Sequence, residues 1–144
     1  MRAALCVAVI LLALPSSAPS SPYADDFSIT LERIGCLGSC PDYKVTIQSD
    51  GTLHYVGRHY VHVQGIREKK LPLKVVERLA QSLQEEDFFH WEQTGGVCID
   101  FPETHITAVL NGAQKHVMEG CNAPGKVLKL ANEIEKITGV KRWI

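Results

Sequence analysis

The 144-residue sequence carries no excess of charge of either sign: 15 Lys and Arg oppose 16 Asp and Glu, and the formal net charge is -1. Nucleic-acid binding ordinarily calls for a clustered basic face, so the balance argues against that class of partner. Long apolar runs are equally scarce. The one that stands out, Leu5 to Leu14, is too short to span a bilayer, and no other segment approaches membrane length. Catalytic fingerprints are missing too. There is no G-x-S-x-G, P-loop, Rossmann glycine pattern or H-E-x-x-H. With 45% hydrophobic and 22% charged residues, the composition is that of an ordinary folded chain rather than a disordered or collagen-like one.

What is present begins with a leader. Arg2 supplies a positive start, the apolar run follows, and Pro15 leads into small residues from Ser16 to Ser21. This three-part layout predicts a secretory signal peptide over 1–20, cut near Ala18-Pro19-Ser20, with Ala24 as a second cleavage position. Residues 21–26 read as a flexible lead-in, and 27–144 as one domain of a secreted or periplasmic protein with no membrane span after cleavage. Loss of Arg2 leaves 14 basic against 16 acidic residues. Loss of Cys6 turns five cysteines into an even set: Cys36, Cys40, Cys98 and Cys121. In an oxidising compartment such a set reads first as disulfides.

The periodicity predicts an α+β domain in the order ββββαββα, a two-layer fold with an antiparallel sheet of hairpin-connected strands covered by two helices. Phe27, Ile29 and Leu31 alternate with polar residues, as in a strand. Residues 43–49 and 52–56 flank Asp50-Gly51, read as a two-residue turn, and Gly57-Arg58 is read as a second turn before a strand over 59–65. Counting outward from these turns places Val45, Ile47, His54, Val56, His59, Val61 and Val63 on a core face. Leu53, Tyr55, Tyr60 and His62 fall on the other. Pro72 opens a helix whose Val76, Leu79, Ala80 and Leu83 form one apolar stripe. Another hairpin, 104–110 and 114–119, turns at Asn111-Gly112. A last helix starts near Asn122 with Pro124 just inside, runs through Val127, Leu130, Ala131, Ile134 and Ile137, and stops at Gly139. The ending Trp143-Ile144 is apolar enough to dock.

Four cysteines allow three connectivities. The local one is favoured, because glycines and Pro41 let the chain turn between Cys36 and Cys40, and the second hairpin brings Cys98 near Cys121. The two bridges contribute about 2 and about 3.5 kcal/mol in the chain-entropy model. The C-x₃-C spacing departs from the redox C-x-x-C, and the wide separation of Cys98 from Cys121 disfavours a Cys₄ zinc site.

The segment Gly35-Cys36-x-Gly38-x-Cys40-Pro41-x-Tyr43, the Asp50-Gly51-Thr52 turn and the Arg142-Trp143-Ile144 ending resemble an uncharacterised family of small exported bacterial domains, known only as a domain of unknown function. The similarity covers about residues 28–144. It implies a bacterial cell-envelope or secreted protein and supplies no activity, substrate or catalytic residue.

Candidate functional residues are few. His54 and His59 are read as core-side histidines that a carboxylate could recruit. His59 and His62, three apart on a strand, point to opposite faces and cannot share a metal. Asp100 sits in a glycine-bearing loop beside Cys98, where the ordinary role is hydrogen-bond acceptor. Tyr55 and Tyr60 are read as a cross-strand pair forming a partly exposed aromatic patch. The sequence therefore reads as an exported, non-enzymatic module binding a protein or small ligand, without cofactor or metal. The alternative is an enzyme: a thiol–disulfide oxidoreductase using Cys36/Cys40, or a small hydrolase using His54 or His59 with Asp100.

Overall fold

The computed structural model describes residues 26–92, 96, 99–121 and 125–144. The leader, Cys98 and the expected helix cap Asn122-Pro124 lie outside the described residues. Among the described residues six strands form one antiparallel sheet: β1 Phe27–Ile34, β2 Asp42–Gln48, β3 Thr52–His59, β4 Gly65–Lys70, β5 Glu103–Leu110 and β6 Ala113–Glu119. Their order across the sheet is β4-β3-β2-β1-β5-β6, so the first strand of the chain lies at the centre. Two helices, α1 Leu73–Glu85 and α2 Lys126–Thr138, complete the expected α+β order.

One face of the sheet is apolar and covered. Ile29, Leu31, Val45, Ile47, Leu53, Ile106 and Ala108 have no exposed surface, and Val76, Leu79, Leu83, Leu130 and Ile134 meet them from the helices. Removing a side chain of this size from water contributes about 1.5–3 kcal/mol, which makes this layer the main source of stability. The helical stripes fall where the 3.6-residue period places them. Pro72 stands just before α1 with an extended ψ of 142°, so it delimits the helix rather than entering it. The α2 helix begins later than expected because Gly125 is left-handed at φ 33°, a conformation that cannot continue a right-handed helix.

The register of the first hairpin differs from the expected one. Val45 pairs with Tyr55 and Ile47 with Leu53, which leaves three residues, 49–51, in the turn instead of two. Gly51 is left-handed at φ 84° and its N–H bonds to Gln48 O at 2.9 Å, while a Cβ there would collide with the Leu71 carbonyl. One extra turn residue reverses which side of the returning strand faces inward. Leu53 and Tyr55 therefore enter the core, and His54 and Val56 turn to the open face. The second turn also lies elsewhere. Strand β3 continues through Gly57 and Arg58, and the chain reverses over 60–64, with Tyr60 at φ 52°. Gly57 cannot carry a side chain, because a Cβ would strike the Val63 carbonyl and crowd the Tyr55 hydroxyl. The later hairpin keeps its expected two-residue turn, with Asn111 and Gly112 both at positive φ and Leu110 paired with Ala113.

The C-terminus docks as expected. Residues Val140–Trp143 form a 3₁₀ turn, Val63 N–H bonds to Trp143 O at 2.9 Å, and the Trp143 ring meets Tyr55 edge-on at 5.1 Å.

Candidate functional site

The structure gathers its least ordinary features at one end of the sheet, where β1 finishes and β5 begins. The loop leaving β1 closes on itself through a Cys36–Cys40 disulfide with Cα atoms 5.5 Å apart. Leu37, a member of this small ring, is 86% exposed. Facing it is the loop that enters β5, in which Ile99 is 95% and Phe101 58% exposed. Asp100 ties the two loops together, since its Oδ1 accepts a hydrogen bond from Leu37 N at 3.1 Å. Asp100 is itself left-handed at φ 75°, a conformation that Asp tolerates better than most residues. Two shallow clefts, of about 360 and about 370 Å³, lie on either side of Phe101. The first runs along Cys36 and Leu37, and the second along Arg33, Cys121 and Leu128.

A buried polar cluster supports the second cleft from below. Arg33 follows Phe27, Ile29 and Leu31 in inward phase. It donates Nε–H toward Tyr43 Oη at 3.0 Å and Glu135 Oε1 at 2.9 Å, and Nη2–H to Asn132 Oδ1 at 2.9 Å. Tyr43 donates its hydroxyl to Glu135 through a very short bond. Tyr43 is fully buried and Glu135 nearly so. Burial pushes the Tyr43 hydroxyl far above its ordinary pKa. Burial opposes the charge of Arg33, but Tyr43 and Glu135 outweigh it and raise the guanidinium's pKa. The cluster is thus one guanidinium, one carboxylate and one protonated phenol, mutually satisfied. Its chemistry is that of a strut joining β1, β2 and α2. The signal for it was present in the sequence, as a charge in the inward phase of β1 and a glutamate beside Ile134 on the apolar stripe of α2.

The other expected site residues do not converge here. His54 lies on the open face of β3, 3.8 Å from Glu68. His59 ends β3 opposite Asp42 and is exposed. Among the described residues no hydrogen bond or ion pair joins either histidine to Asp100. The aromatic patch does not form: Tyr55 is fully buried, donating to the Val63 carbonyl at 3.2 Å, while Tyr60 is 61% exposed in the turn. Cys121 is disulfide-bonded, and Cys98, its expected partner, lies outside the described residues. Among the described residues no group of three or more His, Cys, Asp or Glu side chains is arranged to hold a metal ion. Among the described residues no helix is long and apolar enough to cross a membrane.

The model of one protein family, a domain of unknown function designated DUF6438, matches residues 27–138. The chain belongs to that family. The match takes in the disulfide loop, the Arg33–Tyr43–Glu135 cluster and both helices of the DUF6438 domain, and it stops before Trp143. Comparison with curated proteins yields no match.

Proposed function

We propose that this DUF6438 chain is an exported, non-enzymatic module that binds a protein partner through the disulfide end of its sheet. The observation that carries the reading is the trio Leu37, Ile99 and Phe101. These are three large apolar side chains held in water on two loops that a disulfide and the Asp100–Leu37 hydrogen bond pin in place. Exposed apolar groups clustered in this way mark interaction surfaces. Pre-ordering them lowers the entropy lost on association. The side chains stand outward rather than lining an enclosed pocket, which suits a protein surface better than a small molecule. Support for export comes from the leader and from the even cysteine set, of which Cys36, Cys40 and Cys121 are disulfide-bonded. An isolated bridge joins Gly96 to Cys121 just past the end of β6.

The test places a photo-crosslinking residue at Leu37 or Phe101, and separately at Thr46 on the open sheet face, in cells producing the chain. The expected result is one discrete adduct from both loop positions and none from Thr46. Equal adducts from all three positions, or none from the loops, would overturn the proposal. Sequencing the N-terminus of the same material is expected to show loss of the first 20 or so residues.

A second reading, thiol–disulfide exchange at Cys36–Cys40, is favoured by one contact: the Gly38 N–H lies 3.3 Å from Cys36 Sγ, where it would stabilise a thiolate. A reduction potential well below about −300 mV would mark the bridge as structural and exclude that reading.

A further inference from the structure

The open face of the sheet carries a pair of histidines that the reading above does not use. His105 on β5 and His116 on β6 meet across the strands, with His105 Nδ1 and His116 Nε2 3.1 Å apart. On its far side, His105 Nε2 lies 3.0 Å from Glu103 Oε2. A carboxylate only accepts hydrogen bonds, so Nε2 carries the proton and Nδ1 presents its lone pair toward His116. Glu103 is therefore in the position that an orienting carboxylate takes behind a metal-bound imidazole. Opposite His105 on the adjacent strand β1 lies Glu32, a second carboxylate on the same face.

We propose that His105 and His116 form a binding site for a divalent late transition-metal ion, taken up most tightly as copper(II). Imidazole nitrogens suit copper, nickel and zinc, and copper leads that series in affinity. Metal–nitrogen bonds of about 2.0–2.1 Å place two ligand nitrogens about 2.9 Å apart at a right angle and about 3.4 Å apart in a tetrahedron. The observed 3.1 Å lies between these limits. The ring centres are 5.3 Å apart and the planes only 28° from parallel, so the imidazoles lie nearly end to end. An ion would sit to one side of the line joining the nitrogens. His116, on the exposed side of the edge strand β6, is the ring able to pivot toward it, while Glu103 holds His105. The proton that His116 Nε2 donates to His105 moves to His116 Nδ1, which frees the second lone pair without net loss of a proton. Water completes the coordination.

The test titrates copper(II) into the untagged chain by calorimetry, with electron paramagnetic resonance to count nitrogen ligands and zinc(II) as a weaker-binding comparison. The expected result is one equivalent of copper with two imidazole nitrogens. Glu103→Gln should weaken binding by about tenfold, and His105→Ala or His116→Ala by more. Metal should raise the melting temperature of the unaltered chain and leave that of His116→Ala unchanged. Both histidine variants keep their fold on this view, which circular dichroism without metal checks. Equal copper binding by the unaltered chain and the histidine variants would overturn the site. So would failure of the unaltered chain to bind copper, with the two rings then sharing only a hydrogen bond.

Discussion

Residues 32 and 33 are neighbours on β1, yet they serve two different arginine–carboxylate clusters on opposite faces of the sheet. Glu32 turns to the open face, where Arg58 Nη1 meets it at 2.8 Å and Arg58 Nε bonds Asp42. Arg33 turns inward and meets Glu135 at 2.8 Å, beneath α2. The chemical groups are the same, but their surroundings differ. Side chains in the outer cluster keep 19–33% of their surface exposed, whereas Glu135 keeps 8%. Water and salt screen the outer pair, so its contribution is small. In the inner pair Arg33 keeps 18% of its surface but Glu135 has lost nearly all its hydration, so the carboxylate depends on the guanidinium. What an ion pair does for a fold is therefore set by the face on which the strand's alternation places it.

Removing half of the inner pair should produce the largest effect. Glu135→Ala leaves the Arg33 guanidinium, 18% exposed, without its carboxylate and the buried Tyr43 hydroxyl without its acceptor, and a loss of about 2–4 kcal/mol is expected from chemical denaturation. Replacing the whole cluster, Arg33→Met and Glu135→Leu together with Tyr43→Phe so that no buried hydroxyl is left without a partner, is expected to recover most of that loss. If the triple variant were as unstable as the single one, packing rather than charge would dominate the inner cluster. On the open face, Arg58→Ala should cost no more than about 1 kcal/mol, and the cost should shrink in high salt. A salt-independent loss matching that of Glu135→Ala would erase the distinction between the faces.

The smallest effect belongs to Asp50, at the first hairpin turn. Its carboxyl is held down from 3.8 to about 2 by the hydrogen bond from Lys70, with further bonds from Thr52. Because the folded pKa is the lower one, the stabilisation is complete above pH 3.8 and is lost as pH falls toward 2. The difference in stability between the unaltered chain and Asp50→Asn should therefore narrow over that window and stay constant above it. Denaturation curves across the acid range check this, and a difference that widened on acidification would contradict the sign.

The two X-Gly turns show where reading the sequence succeeds and where it fails. Asn111-Gly112 is a two-residue turn, as its residues suggest, with Leu110 paired to Ala113. Asp50-Gly51 looks equivalent, but Ser49 joins the turn, and every side chain on the first part of β3 changes face. The exchange of Leu53 and Tyr55 for His54 and Val56 follows from that single residue, as does the loss of the expected aromatic patch. Asp100 was legible as a loop acceptor, and the Cys36–Cys40 bridge as a turn closed by a disulfide. The apolar surface around them was not, because Leu37, Ile99 and Phe101 are ordinary core residues until the fold leaves them outside.

By itself the sequence determined the element order, the stripes of α1 and α2 and the Asn111-Gly112 turn, and it favoured the closure of Cys36 on Cys40, because each depends on local geometry and short-range periodicity. Only the tertiary structure decided which face of β3 is buried, which cleft Arg33 and Glu135 support, and that His105 faces His116. Those outcomes depend on register between strands, where a shift of one residue costs little locally and exchanges one face of the sheet for the other.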